Sequence, residues 1–243
     1  MGKVKVDLHI HSVLSPCGDL LMTPLNIIKK AVKEDIKIIA ITDHNSAQNI
    51  EIAVRLAKNH PLIIVPSMEV ETNEEVHILC LFKQIKPLMK LEDFVYNNLP
   101  NKKNNEDIFG PQLITDINDD IIAREEKLLA TATDIEIGEL VEKVYNLGGI
   151  VIPSHVDKNF GLIRNLGLIP PELSFFTLEI FKKTKINDFL NQFPLLKDYN
   201  LIKNSDSHYL DEIKAQMEVS LKKVNISSLF QALKRKTSEI DFL

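Results

Sequence analysis

The chain contains little of what marks disulfide-rich, membrane-spanning or polyanion-binding proteins. Its 243 residues include only two cysteines, Cys17 and Cys80, which are too few and too far apart for a disulfide framework. No apolar run approaches the roughly 18 residues that a membrane span requires. The net charge is −5 without a long run of one sign, which argues against tight binding to duplex DNA or to anionic membranes.

The N-terminal residues also lack the features of a secretory signal. Residues 1–3 lead directly into a strand-like run, without an apolar core or a small-residue cleavage site. We therefore expect a cytoplasmic protein. The hydrophobic content of 44% is ordinary for a globular protein, and the length allows one domain of α/β-barrel size.

Seven histidines are an ordinary number for this length, but six of them have an informative placement. They lie where strand-like apolar runs begin or stop, and each has a carboxylate beside it or near it. The exception is His60, which precedes Pro61 and is predicted to be an ordinary histidine. Since imidazole and carboxylate together bind divalent transition metals, the placement predicts a metal centre. The six histidines are His9, His11, His44, His77, His155 and His208.

Strand-like and helix-like segments alternate over most of the chain, which is typical of an α/β protein with a parallel sheet. Most candidate ligands follow the carboxyl ends of the predicted strands. Ligands from five or more strands can converge only if the sheet closes, because neighbouring strands are ~4.8 Å apart. We therefore predict a single barrel domain over residues 1–243. The predicted strands are residues 4–10, 37–42, 62–70, 76–82, 150–153, 175–181 and 201–204.

Residues 85–131 fit this alternation poorly. They include a polar stretch without periodicity at residues 97–105 and a charged segment at residues 119–129 that we predict to be helical. A long connection of this kind inside a compact domain is usually functional. We expect it to be an insertion on the barrel, or a lid.

Spacing indicates which histidines could share an ion. His9 and His11 are two residues apart, so on a strand they point to the same side and one metal could take both. Taken alone, the pair could equally lie on a solvated strand face. Asp206 and His208 repeat the spacing near the other end of the chain.

The remaining candidates each have an ordinary interpretation as well. Asp19 could be a metal ligand or a turn aspartate. Glu69 could be an exposed strand carboxylate, like Glu71, and a lone His77 would more often be a packed core residue. Cys17 is close to Asp19 in sequence, but an inert thiol is the simpler interpretation.

Taken together, these motifs resemble a known family. Asp-x-His-x-His, then Thr-Asp-His, then a Glu and a His across a hairpin, then Ser-His and a terminal Asp-x-His occur in that order over residues 3–210. This pattern resembles the PHP family, named for polymerase and histidinol phosphatase. The resemblance implies a distorted (β/α)7 TIM-like barrel that binds three divalent metal ions, which could be Zn, Mn or Fe.

Beside the resemblance, we hypothesise that Asp43 orients His9, His11 or a nearby ligand. Arg164, Arg124 and Lys158 are candidates to bind phosphate, and each could equally be an ordinary surface cation. The resemblance itself implies ligand roles for particular residues. Glu69 would bridge two ions. The implied ligand sets are His9, His11, Glu69 and Asp206 for the first metal, Asp19, His44 and His208 for the second, and Glu69, His77 and His155 for the third.

Three functions remain open at this point. The first is a hydrolase that cleaves a phosphate ester of a nucleotide or short oligonucleotide through a hydroxide shared by two metals. The second is a phosphatase for a metabolite such as histidinol phosphate. The third is a non-catalytic metal-binding module associated with a polymerase. The mild acidity favours a small phosphorylated substrate, without a membrane partner and without tight binding of duplex DNA.

Overall fold

The structure, a computed structural model, describes residues 2–170, 173–235 and 239–243 as a mixed α/β fold. None of the described helices has the length and apolar character needed to cross a membrane. The strands are β1 (Gly2–Ile10), β2 (Ile36–Ile41), β3 (Ile63–Val65), β4 (Ser67–Glu71), β5 (His77–Leu81), β6 (Leu113–Thr115), β7 (Ile121–Arg124), β8 (Ile150–Pro153), β9 (Thr177–Glu179), β10 (Asn200–Ile202), β11 (Met217–Leu221) and β12 (Ile240–Phe242). The helices are α1 (Pro24–Lys33), α2 (Ile50–Ala57), α3 (Ile85–Asn97), α4 (Glu106–Phe109), α5 (Ile137–Asn146), α6 (Leu162–Leu166), α7 (Ile186–Gln192) and α8 (Ile226–Leu233).

The described strands pair in four sheets. Five of them have the order β12-β11-β1-β2-β3, three form β4-β5-β8, and β9-β10 and β6-β7 are separate pairs. The predicted parallel pairing is confirmed for β1-β2-β3 and for β9-β10. The antiparallel β4-β5 pair is the hairpin that the motifs imply, since the five-residue turn between these strands is too short for a parallel crossover. The parallel prediction is wrong for β5-β8, which is antiparallel.

Contacts outside these ladders connect the sheets at the ends that carry the candidate ligands. Isolated parallel bridges join Ile10 to Ser207 and His44 to Glu69. The backbone N–H of Val156, just after β8, donates to the carbonyl of Glu179 at 2.9 Å. The carboxyl ends of β1, β2, β8, β9 and β10 therefore lie together. Because the ladders of the described residues are divided among four sheets, the predicted closed barrel is not confirmed.

The predicted strand at residues 62–70 is two strands. Pro66 separates them because it has no N–H to donate to a ladder. β3 pairs with β2, whereas β4 pairs with β5, and the carbonyl of Pro66 accepts the N–H of Phe82 at 2.8 Å. The break turns Glu69 away from the β3 sheet and towards the loop after β2.

Alternating side chains of the strands enter two apolar clusters. Leu8, Ile38 and Ile152 belong to one cluster, with Phe230 of α8, and the neighbouring Ile39 belongs to the other. Successive strand residues face opposite sides, so helices and loops cover the strands on both faces. Fully burying one such side chain contributes ~1.5–3 kcal/mol. This rigid scaffold fixes the strand ends where the candidate ligands lie.

Residues 85–131 contain α3, α4 and the β6-β7 hairpin. The predicted helix at residues 119–129 is wrong: β-branched Ile121 and Ile122 lie in β7, and the Asp116 carboxylate accepts backbone N–H groups in the preceding turn. The Asn45 amide donates to the carbonyls of Leu129 (2.7 Å) and Thr131 (2.9 Å). These bonds tie the segment to the loop that carries His44.

Candidate metal centre

The carboxylate of Glu69 lies in the middle of a group of imidazoles. The residue is 0% exposed on β4, and ring nitrogens of five histidines lie within 4 Å of its two oxygens. One carboxylate therefore connects side chains from both ends of the chain. The distances to Oε1 are 3.2 Å from His9 Nε2, 3.4 Å from His77 Nδ1 and 3.8 Å from His155 Nε2, and those to Oε2 are 3.1 Å from His44 Nδ1 and 3.6 Å from His11 Nε2.

His9, His11 and Asp206 form a compact set of donors beside Glu69. The Nε2 atoms of His9 and His11 are 3.1 Å apart, and Asp206 Oδ1 lies 3.5 Å from the first and 3.7 Å from the second. Two nitrogens bound to one zinc ion at ~2.1 Å in tetrahedral geometry are roughly 3.4 Å apart. The spacing of these atoms therefore fits ligands of a common ion.

The unpaired atoms of the site test this fit independently. Both oxygens of Glu69 and the Nδ1 atoms of His44, His77 and His155 are buried without a hydrogen-bond partner. A buried carboxylate without donors costs several kcal/mol. Divalent ions would satisfy these oxygens and ring nitrogens, which are the donor types that Zn, Mn and Fe accept.

The second group of possible ligands differs from the predicted one. Donor atoms of His11, Cys17, His44 and His208 all lie within 4.8 Å of one another. Asp19 is absent from the groups found among the described residues. Its Oδ1 instead accepts the backbone N–H of Leu21 at 2.9 Å.

A third group contains His44, Glu69 and His77. The His155 ring is next to it, with its centroid 5.4 Å from that of His77. His11 and His44 each belong to two groups, so the groups are not three separate sites. All the predicted ligands except Asp19 lie in this one cluster around Glu69.

Sequence reasoning missed Glu179, which ends β9. Its carboxylate lies 2.9 Å from His9 Nδ1 and accepts the N–H of His155 (2.9 Å) and the amide of Asn204 (2.7 Å). Glu179 thus fixes the His9 ring and directs its Nε2 towards Glu69. Glu179 lies within the predicted strand at residues 175–181, and no histidine is next to it in the sequence to indicate a role in the site.

Glu179→Gln should weaken metal binding roughly 10–100-fold, the usual effect of losing a carboxylate that orients a histidine ligand. Glutamine keeps the shape, but its NH₂ would face one of three groups that now donate to the carboxylate. The measurement is metal affinity by competition with a chromogenic chelator. Glu179→Asp, which restores the charge, should recover part of the affinity. Equal affinity in wild type and Glu179→Gln would contradict this role.

Asp43 is connected to the site by hydrogen bonds with Ser12 and Ser15. Its carboxylate accepts the Ser12 N–H (2.6 Å), the Ser12 hydroxyl (2.6 Å) and the Ser15 hydroxyl (2.7 Å). The Ser15 oxygen in turn lies 3.1 Å from His11 Nδ1 and accepts the His44 N–H at 3.2 Å. Asp43 therefore holds the loop after β1 against the one after β2, and its influence on His11 is indirect.

Burial and charged neighbours both shift the pKa values of the ionisable side chains in the site. Burial lowers the pKa of His9, but the carboxylates of Glu179 and Glu69 outweigh it and hold that pKa well above its usual value. Burial raises the pKa of Glu69, yet the imidazoles of His77 and His9 hold it well below its usual range. For His11, burial and repulsion from His208 and His44 both lower the pKa. A neutral His11 ring has a lone pair available for a metal.

Two candidate ligands leave their strands in an unusual backbone conformation. His155 has φ 26° and Asp206 has φ 48°. For residues other than glycine this region costs ~1–3 kcal/mol and is found mainly at functional sites. The surrounding hydrogen bonds therefore hold both residues in place at the expense of local strain.

Of the three proposed cations, Lys158 is the one that lies at the site. Its Nζ is 3.6 Å from Asp206 Oδ2 and 4.1 Å from the centre of the Phe181 ring. Arg124 pairs with Glu106 in the β6-β7 region. Arg164 is exposed on α6 and lines a surface cavity with Asp157 and Asp188.

The sequence pattern of a known family accounts for this geometry. The family model for the PHP domain matches residues 7–149, more than half of the chain, including the segment from His9 to His77. The chain belongs to the PHP domain family. This confirms the resemblance seen in the motifs.

Two curated relatives match parts of this PHP chain. An uncharacterized protein of Methanocaldococcus jannaschii is 35% identical over 79 residues, which are 29% of this chain and 46% of the relative. A 5′-3′ exoribonuclease of Haemophilus influenzae is 30% identical over 89 residues, 35% of this chain and 31% of the enzyme. The matched segments thus span less than half of either relative.

A lesion-specific endonuclease Q from Pyrococcus furiosus has a similar fold, with a TM-score of 0.71 at 17% identity. The alignment covers 99% of this chain and 58% of the endonuclease. Endonuclease Q in complex with a 27-mer duplex gives a TM-score of 0.67 at 16% identity, over 96% of this chain and 57% of the enzyme. A protein of similar fold therefore binds duplex DNA, and the prediction against tight duplex binding is unsupported.

Proposed function

We propose that this PHP chain is a metal-dependent hydrolase that cleaves a phosphate ester of a nucleotide or short oligonucleotide. The observation that carries the proposal is the pair of buried, unpaired oxygens of Glu69 among five imidazoles. A purely structural cluster would pair these atoms with donors. The nuclease names of one curated relative and one structural neighbour favour nucleic-acid-derived substrates.

Three divalent ions are proposed. His9, His11, Glu69 and Asp206 would hold the first, His44 and His208 would contribute to the second, and Glu69, His77 and His155 would hold the third. Asp19 would be a ligand only if its carboxylate moved towards the imidazoles, since it is in none of the groups found among the described residues. Bound divalent ions lower the pKa of water and neutralise phosphate charge. Two free cysteines fit the proposed cytoplasmic location.

We also propose that seven strands close around the site in a distorted barrel. The ladders supply β1-β2, β4-β5-β8 and β9-β10. The bridges His44–Glu69 and Ile10–Ser207, with the Val156–Glu179 hydrogen bond, would complete the circuit. Such closure explains how ligands nearly 200 residues apart in sequence can converge, as active sites do at the strand ends of (β/α) barrels.

Lys158 is proposed to bind the substrate phosphate. When the Asp206 carboxylate binds metal, the substrate phosphate would compete with that carboxylate for the ammonium group of Lys158. Lys158→Ala should raise KM roughly tenfold, the effect of losing a charged hydrogen bond of ~1.5 kcal/mol, with a smaller change in kcat. Lys158→Arg should recover most of the affinity.

The matched control is Arg164→Ala, which tests the other proposed phosphate ligand in the same assay. Steady-state kinetics on each variant compare the two. Since Arg164 lines a separate cavity, we expect its loss to change KM less than twofold for a mononucleotide. The reverse result would reinstate Arg164 and remove Lys158.

The substrate class is tested with a panel of phosphate esters and added Mn²⁺ or Zn²⁺. The panel contains 5′-nucleotides, 3′,5′-bisphosphates, single-stranded and duplex oligonucleotides, and histidinol phosphate. Fastest hydrolysis of a nucleotide or short oligonucleotide supports the proposal. A preference for histidinol phosphate would make the chain a metabolite phosphatase. No hydrolysis of any ester by metal-loaded protein would favour a non-catalytic module.

A further inference from the structure

The side chain of Cys17 faces two histidines that the predicted ligand set paired with Asp19. Its sulfur lies within 4.8 Å of donor atoms of His44 and His208, in a group that also includes His11. The His11 and His208 rings are stacked, with centroids 4.3 Å apart. His208 Nδ1 lies 3.2 Å from its neighbouring carbonyl at Asp206, which leaves Nε2 for another partner.

The loop from residue 12 to residue 19 is built in a way that holds the thiol there. The N–H of Gly18 donates to the Ser15 carbonyl at 2.9 Å, and the N–H of Asp19 donates to the His208 carbonyl at 2.9 Å. A Cβ at Gly18 would meet the Ser12 carbonyl oxygen at 2.4 Å, so only glycine fits this turn. The fold of the loop fixes Cys17 beside His208.

Asp19 is occupied by another contact. Its carboxylate closes the turn by accepting the Leu21 N–H, and Met22 donates to its carbonyl at 2.9 Å. Cys17 and Asp19 therefore differ in where their side-chain donor atoms lie. The sulfur of Cys17 is already among the imidazoles, whereas the carboxylate of Asp19 is in none of the groups of possible ligands found among the described residues.

We propose that Cys17 Sγ, with His44 and His208, binds one of the metal ions. The inference rests on the proposed function, since it concerns the same centre. Binding would release the thiol proton to solvent and form one metal–thiolate bond. A thiolate favours softer ions such as Zn²⁺, whereas a carboxylate suits Mn²⁺ or Mg²⁺. Three protein ligands would leave a position open at that ion.

The test loads metal-free protein with Co²⁺ and records the near-ultraviolet charge-transfer band of a cobalt–thiolate bond. We expect the band in wild type, its loss in Cys17→Ser with about one metal equivalent less bound, and its retention in Asp19→Asn. Cys80→Ser is the matched control because Cys80 is buried in the apolar core and outside the groups found among the described residues. Its band should equal that of wild type.

A second measurement uses the unmodified chain and does not depend on folding of the variants. Zn²⁺ at about ten times its dissociation constant should slow alkylation of Cys17 roughly tenfold, because only about one tenth of the protein then has an unbound thiol. Mass mapping separates Cys17 from Cys80. Unprotected Cys17 in zinc-loaded protein would overturn the proposal.

The outcomes also separate this inference from the proposed function. Co²⁺ bound without a thiolate band overturns the cysteine ligand alone, as does a band that survives in Cys17→Ser. Loss of a metal equivalent in Asp19→Asn but not in Cys17→Ser restores the aspartate. Failure to bind Co²⁺ at all would remove both the cysteine ligand and the metal-dependent function.

Discussion

Glu69→Gln is expected to lower kcat for phosphoester hydrolysis by roughly 10²–10³-fold, the usual effect of removing one electrostatic group from an enzyme. Both oxygens of Glu69 are within 4 Å of imidazole nitrogens, which come from five histidines at four separate places in the chain. The amide keeps the shape of the side chain but loses the charge and one acceptor. Any ion shared through Glu69 would lose a ligand on one side.

The measurement pairs steady-state kinetics with metal content by mass spectrometry. Glu71→Gln is the matched control, since Glu71 lies on the same strand and, within the described part of the chain, pairs with one imidazole, His77, whose Nε2 is 3.7 Å from Glu71 Oε2. We expect that variant to lose no more than about tenfold and to keep its metal. Equal losses in the two variants, or hydrolysis unchanged in Glu69→Gln, would remove Glu69 from the metal centre.

Removal of metal by a chelator is expected to have the second large effect, on both activity and stability. Hydrolysis should fall to background and return with Zn²⁺ or Mn²⁺. Stability should fall because a ligand at about 100 times its dissociation constant contributes roughly 2.7 kcal/mol. For a protein of this size, 1 kcal/mol corresponds to roughly 2–4 °C in Tm. Chelation should therefore lower Tm by about 5–10 °C, and by more if several sites empty.

Thermal unfolding with and without chelator checks this expectation. The Glu69→Gln variant supplies the control, because it should already have lost metal and its Tm should respond less. The physical basis is that the unfolded chain cannot assemble these ligands, so the ions bind only the native state. Full activity after exhaustive chelation, with unchanged Tm, would show that the cluster functions without metal.

The positions of many side chains in this cluster follow from the local sequence. The two-residue spacing of His9 and His11 places both on one side of β1, and apolar runs that stop at His44 and His155 place these side chains at strand ends. Such features depend only on the period of a strand and on the chemistry of a side chain. The family was recognisable for the same reason, since its motifs are short and occur in a fixed order.

Some errors came from local patterns that a turn or a neighbour overrides. Pro66 divides a run that looks continuous, and the turn at Asp116 leads residues 121–124 into a hairpin in place of the predicted helix. The antiparallel pairing of β4, β5 and β8 follows from loop length and sheet packing. Apolar periodicity alone does not indicate which strands become neighbours in a sheet.

The sequence by itself determined that imidazoles and carboxylates, the ligands of the proposed metal centre, lie at the ends of strands. Only the tertiary structure decided which residues support it. Glu179 is 170 positions from His9, and Lys158 faces Asp206 while Arg164 lies in another cavity. Likewise, the turn at Gly18 places the sulfur of Cys17, and not the carboxylate of Asp19, in the group that contains the His208 imidazole. These choices depend on contacts between distant strand ends and loops, whose positions are set by the packing of the whole sheet.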